Sequence, residues 1–194
     1  MKTSTTIRAL GLLLLLTAGC ASQMQDSSFL VTAPRPAGEA PFLVTPLEII
    51  DHMLGLAKVG PDDVVYDLGS GDGRIVISAV KDFGARQAVG IEIDGTLVAK
   101  SRHYAQQAGV ADRVTFVEQD FFKADFSGAT VVTLYLTRDV NLQLRPKLLA
   151  ELRPGTRIVS FNFDMGDWRP YAWIRVNADG RALPVYLWVV PPRR

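Results

Sequence analysis

The sequence predicts an α/β protein built on one open, mostly parallel sheet. Three observations carry that expectation. Short β-branched runs alternate with helical stretches, a glycine-rich segment stands at the first strand-to-helix turn, and 194 residues, 48% of them hydrophobic, suit a single buried core.

The elements follow in order. Thr45-Pro46-Leu47-Glu48 carries a hydroxyl N-cap, a proline at the first helical position and a glutamate placed for a capping box, so a helix is expected to about residue 57. Leu47, Ile50, Met53, Leu54 and Ala57 fall on its packing face, with His52 off that stripe. A β-rich run over 63–68 is followed by the glycine-rich turn and a helix over 74–83 that Gly84 stops. The cycle repeats with a strand over 88–93, a helix over 96–108 closed by Gly109, strands over 114–118 and 130–136, a helix over 140–152 and a strand over 157–163. Pro146 is expected to divide the last of these helices, because proline removes a backbone donor and crowds the preceding turn. Strands over 172–176 and 184–190, joined through Asn177-Ala178-Asp179-Gly180, form a terminal hairpin.

Ahead of this domain, Lys2 and Arg8 precede an apolar run over residues 9–16, then Thr17-Ala18-Gly19 and Cys20. That pattern reads as an export signal, being shorter than the roughly 20 apolar residues a transmembrane helix needs. Small residues directly before a cysteine resemble the lipobox of bacterial lipoproteins, which implies a lipidated Cys20, membrane attachment and a place in the bacterial cell envelope. Ordinary cleavage near Ala21, or a start at Met24 with a cytoplasmic protein, are the alternatives. The expected organisation is a signal over 1–20, a linker containing Pro34 and Pro36 over 21–40, and a domain over 41–194.

Composition removes several functions. With 21 Lys plus Arg against 20 Asp plus Glu, the chain lacks the basic excess that phosphate neutralisation on nucleic acid requires. One cysteine and two histidines leave no disulfide framework, no CxxC redox centre and no metal site to be expected.

The chemistry is concentrated at strand ends. Asp67-Leu68-Gly69-Ser70-Gly71-Asp72-Gly73 places an acidic residue before the glycines, and Arg74 stands where a dinucleotide fingerprint wants its third glycine, which favours adenosylmethionine over NAD. Glu92 closes the next strand, where a carboxylate can accept hydrogen bonds from both ribose hydroxyls. After the third strand, Asp120 offers a carboxylate to an exocyclic amine, and Phe121 or Phe122 an aromatic face to adenine. Asp72 and Arg74 read as a helix-start charge and a solvated or ion-paired side chain rather than direct ligands.

With these motifs the chain resembles class I S-adenosylmethionine-dependent methyltransferases, from about residue 45 to residue 163. The resemblance implies a Rossmann-like, seven-stranded sheet with an antiparallel last strand, and S-adenosyl-L-methionine as cofactor. It implies that Asp67, Gly69, Gly71 and Gly73 line the methionine part, Glu92 the ribose and Asp120 the adenine amine. The chain is also similar to the mitochondrial ATP synthase c-subunit lysine methyltransferase family. The matching residues are Pro41-Phe42, the run Val65-Tyr66-Asp67-Leu68-Gly69-Ser70-Gly71-Asp72-Gly73-Arg74-Ile75-Val76-Ile77, the loop from Asp120 to Lys123, and Phe163-Asp164-Met165-Gly166-Asp167-Trp168. That likeness implies a protein substrate with a lysine acceptor; a small molecule or lipid, or a scaffold role without catalysis, are the competing readings. A lysine amine must lose its proton before attack, which a desolvated or aromatic-lined channel promotes. Tyr135, Asn162, Asp164 and Trp168 follow strand ends and are the candidates to line it, with no dedicated catalytic base required.

Overall fold

The computed structural model describes residues 44–178 and 180–193. The apolar leader, Cys20 and the proline-containing linker lie outside the described residues, and no described helix is long and apolar enough to cross a membrane.

Seven strands form one sheet in the order β3-β2-β1-β4-β5-β7-β6. They are β1 (Val64–Leu68), β2 (Gln87–Glu92), β3 (Val114–Glu118), β4 (Val131–Leu134), β5 (Arg157–Phe161), β6 (Ala172–Ala178) and β7 (Arg181–Val189). The first five pair in parallel, while β7 runs antiparallel to both β5 and β6, as the family resemblance implied. The β6–β7 pair extends into residues expected to be turn, with Ala178 facing Arg181.

Period-two alternation sorts the strand residues between two cores. Val65, Val131, Val159 and Phe161 face one side, where α1 (Leu47–Leu56), α2 (Arg74–Lys81) and α3 (Gly95–Gln107) pack. Leu68, Val132, Leu134 and Ile158 face the other, covered by Leu144 and Leu148 of α4 (Arg138–Glu151) and by Phe126, Met165 and Trp188. Helix α1 buries Ile49, Ile50, Met53 and Leu54, and His52 is exposed as expected.

Three local expectations are corrected. Leu47 is 67% exposed, because α1 begins there and its first turn overhangs the packing face. Thr45 caps nothing; Pro46 takes the N-cap position without a side-chain bond, and the Thr45 carbonyl accepts a hydrogen bond from the Arg74 guanidinium instead. Helix α4 runs unbroken through Pro146, held on both sides of it by the buried Asn141, Leu144 and Leu148.

Candidate functional site

The sheet reverses its strand order at β1, whose neighbours are β2 on one side and β4 on the other. In open α/β sheets the crevice at the carboxyl ends of such strands binds ligands. Here that crevice receives the glycine-rich loop. Gly69, Gly71 and Gly73 all take positive φ, at 79°, 56° and 81°. Gly73 is glycine for a second reason, because a Cβ there would lie 2.6 Å from the Phe116 ring.

The loop is tied to its neighbours on every side. The Gly69 and Ser70 amides both donate to the Ile91 carbonyl, at 2.8 and 3.0 Å, and Ser101 Oγ donates to the Gly71 carbonyl at 3.0 Å. Gly90 lets the loop settle on β2, since a Cβ there would meet Ser70 Oγ at 2.6 Å. Asp72 forms a fork with Arg74, whose Nε and Nη2 donate to its two oxygens at 2.9 and 2.6 Å, while Nη1 reaches the Thr45 carbonyl at 3.0 Å. Of the two expectations for Arg74, solvated or ion-paired, the ion pair is the one that forms.

Three carboxylates stand at the ends of three adjacent strands. Asp67, on β1 and 2% exposed, accepts a 2.6 Å hydrogen bond from Thr133 Oγ1 of β4. Burial pushes its carboxyl up to about 7; the Thr133 bond acts against that rise, and the Glu92 and Asp72 charges add to it. Glu92, on β2, is a brace: Oε2 accepts from the Gly71 amide at 2.9 Å, and Oε1 from the Ile93 and Asp94 amides at 2.9 and 3.0 Å. Asp120, beyond β3, accepts from the Phe122 amide at 2.9 Å and lies 3.5 Å from Lys123 Nζ. The Gln119 amide donates to the Glu92 carbonyl at 2.9 Å and draws the Asp120 loop toward the other two. Phe121 packs on the core that contains Leu68 and Ile91, its ring 4.8 Å from that of Phe122, which is 38% exposed.

The acceptor-channel candidates divide between the two faces of the sheet. Tyr135 packs on the α1-side core with its ring 4.7 Å from Phe161. Asn162, directly after Phe161, holds a left-handed φ of 68° and donates its backbone N–H to the Pro184 carbonyl at 2.8 Å. Asp164 and Trp168 belong to a loop that α4 grips. Arg138 Nε donates to Asp164 at 3.1 Å, Arg145 pairs with Asp167 and donates to the Met165 carbonyl, and the Asn141 amide reaches Ser160 Oγ and the Phe163 carbonyl, both at 3.2 Å. The Trp168 ring packs on the α4-side core, 6.1 Å from Trp188.

Thr133, Ile93 and Asp94 carry no site signal in the sequence alone. Thr133 reads as an ordinary β-former, and only the parallel register that sets it beside Asp67 shows its use. Ile93, directly after Glu92, is 57% exposed at the same edge, a signal that position alone gives. Asp94 caps α3, accepting from the Thr96 and Leu97 amides.

The donor set fits S-adenosylmethionine. A sulfonium and an ammonium call for negative charge, a ribose diol and an exocyclic amine call for acceptors, and the glycines let a ligand approach the backbone. Comparison with known proteins agrees. A model of the ANTKMT methyltransferase domain matches residues 67–172. A protein-lysine N-methyltransferase of Saccharolobus islandicus is 45% identical over 77% of this chain and 93% of its own length. The adenine nucleotide translocase lysine N-methyltransferase of mouse is 34% identical over 73% of this chain, which spans 61% of that enzyme. The human ATP synthase c-subunit lysine N-methyltransferase is 34% identical over 67% of this chain, which spans 54% of it. Among solved structures, a Salinibacter ruber protein described as an RNA methyltransferase, crystallised with S-adenosyl-L-homocysteine, is 53% identical over 78% of this chain and 96% of its own, with a TM-score of 0.73. The glycine loop, the carboxylates on neighbouring strand ends and these likenesses together make the chain a member of the ANTKMT methyltransferase family, an S-adenosylmethionine-dependent methyltransferase.

Proposed function

We propose that the acceptor is a protein lysine amine. The observation that carries this reading is the 45% identity along nearly the whole length of the Saccharolobus protein-lysine enzyme. The cofactor, when bound, supplies an activated methyl group on a sulfonium. The chain's part is then to bind, orient and exclude water. Asp67, Gly69, Gly71 and Gly73 take the methionine part, Glu92 the ribose, Asp120 the adenine amine and Phe121 or its neighbour the adenine ring. Tyr135, Asn162, Asp164 and Trp168 line the approach of the amine. A neutral amine held in line at about 3–3.5 Å needs no further covalent chemistry, and an apolar channel lowers its pKa toward the neutral form.

A second reading, an RNA acceptor, is favoured by the description of the Salinibacter structure. Near-equal counts of basic and acidic residues weigh against it. Tritiated cofactor, incubated with enzyme and cell fractions, separates the two. Label removed by protease and retained after RNase, then located on lysine by mass spectrometry, is the expected outcome. RNase-sensitive label would replace the lysine reading with RNA, and label resistant to both would point to a small molecule or lipid.

We also propose that Cys20 is lipidated and holds the enzyme at the bacterial envelope. Fractionation of cells carrying wild type or Cys20→Ala tests this: the wild type should sediment with membranes and the variant should not.

A further inference from the structure

We propose that Thr133 is a positioning residue of the cofactor site, whose hydroxyl holds the Asp67 carboxylate in place for a cationic ligand. The inference rests on the reading of Asp67 as a cofactor-binding residue.

The geometry is specific. Thr133 is fully buried in β4 and stands opposite Asp67 in the parallel register of β1 and β4. Its hydroxyl has one proton to give. The carboxylate oxygen lies at 2.6 Å and the other acceptor in reach, the Tyr66 carbonyl, at 3.4 Å, so the proton goes to Asp67. This is the one hydrogen bond Asp67's side chain receives among the described residues. Packing does not explain the hydroxyl: the neighbours along β4 are Val131, Val132 and Leu134, and valine would fill the same space without desolvating a polar atom.

The surroundings make the bond consequential. Burial acts first to favour the protonated acid, and the Glu92 and Asp72 charges add to it, Asp72 with its own charge paired to Arg74. The Thr133 hydroxyl is the group that acts the other way. Without it, the balance at Asp67 moves further toward the protonated acid, a poorer partner for an ammonium or sulfonium.

The test is calorimetric affinity for S-adenosylmethionine from about pH 6 to about pH 9, for wild type, Thr133→Val, Thr133→Ser and Asp67→Asn. Each variant is expressed as a ratio to wild type at the same pH, so titration of the ligand's own amine cancels. Thr133→Val should bind roughly tenfold or more weakly near pH 7, since hydrogen bonds to charged groups are among the stronger ones. That deficit should shrink as pH rises, and Thr133→Ser should stay within about twofold of wild type throughout. A deficit in Thr133→Val that does not change with pH, or none at all, overturns the proposal; if the valine variant does not fold, Thr133→Ala is read by the same criteria. Asp67→Asn separates the two levels: wild-type affinity there means that the reading of Asp67 itself has failed. Lost affinity in Asp67→Asn with full affinity in Thr133→Val means that only the role of Thr133 has failed.

Discussion

Asp63 and Asp67 lie one step before β1 and within it, four residues apart, and both are almost fully buried. Asp63, at the amino end of the sheet, accepts from the Gly60 amide at 2.9 Å and from Thr130 Oγ1 at 2.7 Å, and pairs with Arg157. Arg157 in turn donates to the Ala57 and Lys58 carbonyls, so this carboxylate knots α1, β1 and β5 together. Asp67, at the carboxyl end, receives one bond among the described residues and faces two like charges. The same side chain is a fastener at one end of the sheet and an unfinished contact at the other. A buried charge without enough donors costs stability, and such a cost is tolerated where a ligand will supply the missing partner.

Four experiments sharpen that contrast. The largest effect is expected from Asp67→Ala combined with Glu92→Ala, which should abolish cofactor binding, a loss of about a hundredfold or more, in a protein that still folds. Calorimetry beside circular dichroism checks it, and retained binding would move the site elsewhere. Next, Asp63→Ala should destabilise by about 3 kcal/mol, since it strands a partly buried guanidinium, while cofactor affinity of the folded protein stays unchanged; denaturant titration reads the first quantity and calorimetry the second.

Third, Asp67→Asn should stabilise the apoprotein at pH 8 even as it loses cofactor. The folded acid titrates near 7, above its unfolded value, so the native state holds the extra proton between about pH 4 and about pH 7. Stability from this group is therefore present at low pH and falls as pH rises through that window, levelling off above it. Urea midpoints across that range should decline in wild type relative to Asp67→Asn; parallel profiles would refute the assignment. The smallest effects come from the two non-glycine residues with left-handed backbone among the described residues, Lys58 after α1 and Asn162 after β5, at φ 51° and 68°. Glycine at either should add about 1 kcal/mol, read as a rise in melting temperature. Lys58→Gly should leave turnover intact, and Asn162→Gly should lower it.

The fold was legible because parallel strands are buried on both faces and show as short β-branched runs, and because Gly84 and Gly109 end helices as glycine commonly does, at φ 71° in each case. The acidic-glycine signature around Asp67 was legible because ligand approach restricts residue types locally. Thr133 was not, since its meaning arises from a partner 66 residues away in sequence. Pro146 misled for a related reason: local propensity opposes it, and tertiary packing of Leu144 and Leu148 on the sheet prevails. Thr45 and Pro46 carried the signals of a capped helix start, but the Arg74 guanidinium bonds to the Thr45 carbonyl and no side-chain cap forms.

The placement of β7 between β5 and β6 has a consequence for the newly made chain. Strand β6 leaves the ribosome before the strand it pairs with, and the free edge of β5 waits for that same strand. Until β7 arrives, Ile158, Val159 and Phe161 line an unpaired edge and the slot filled by Trp188 stands open to other chains. A nascent polypeptide stalled before residue 181 would therefore be a self-adhesive sheet in need of a chaperone, rather than a shortened enzyme.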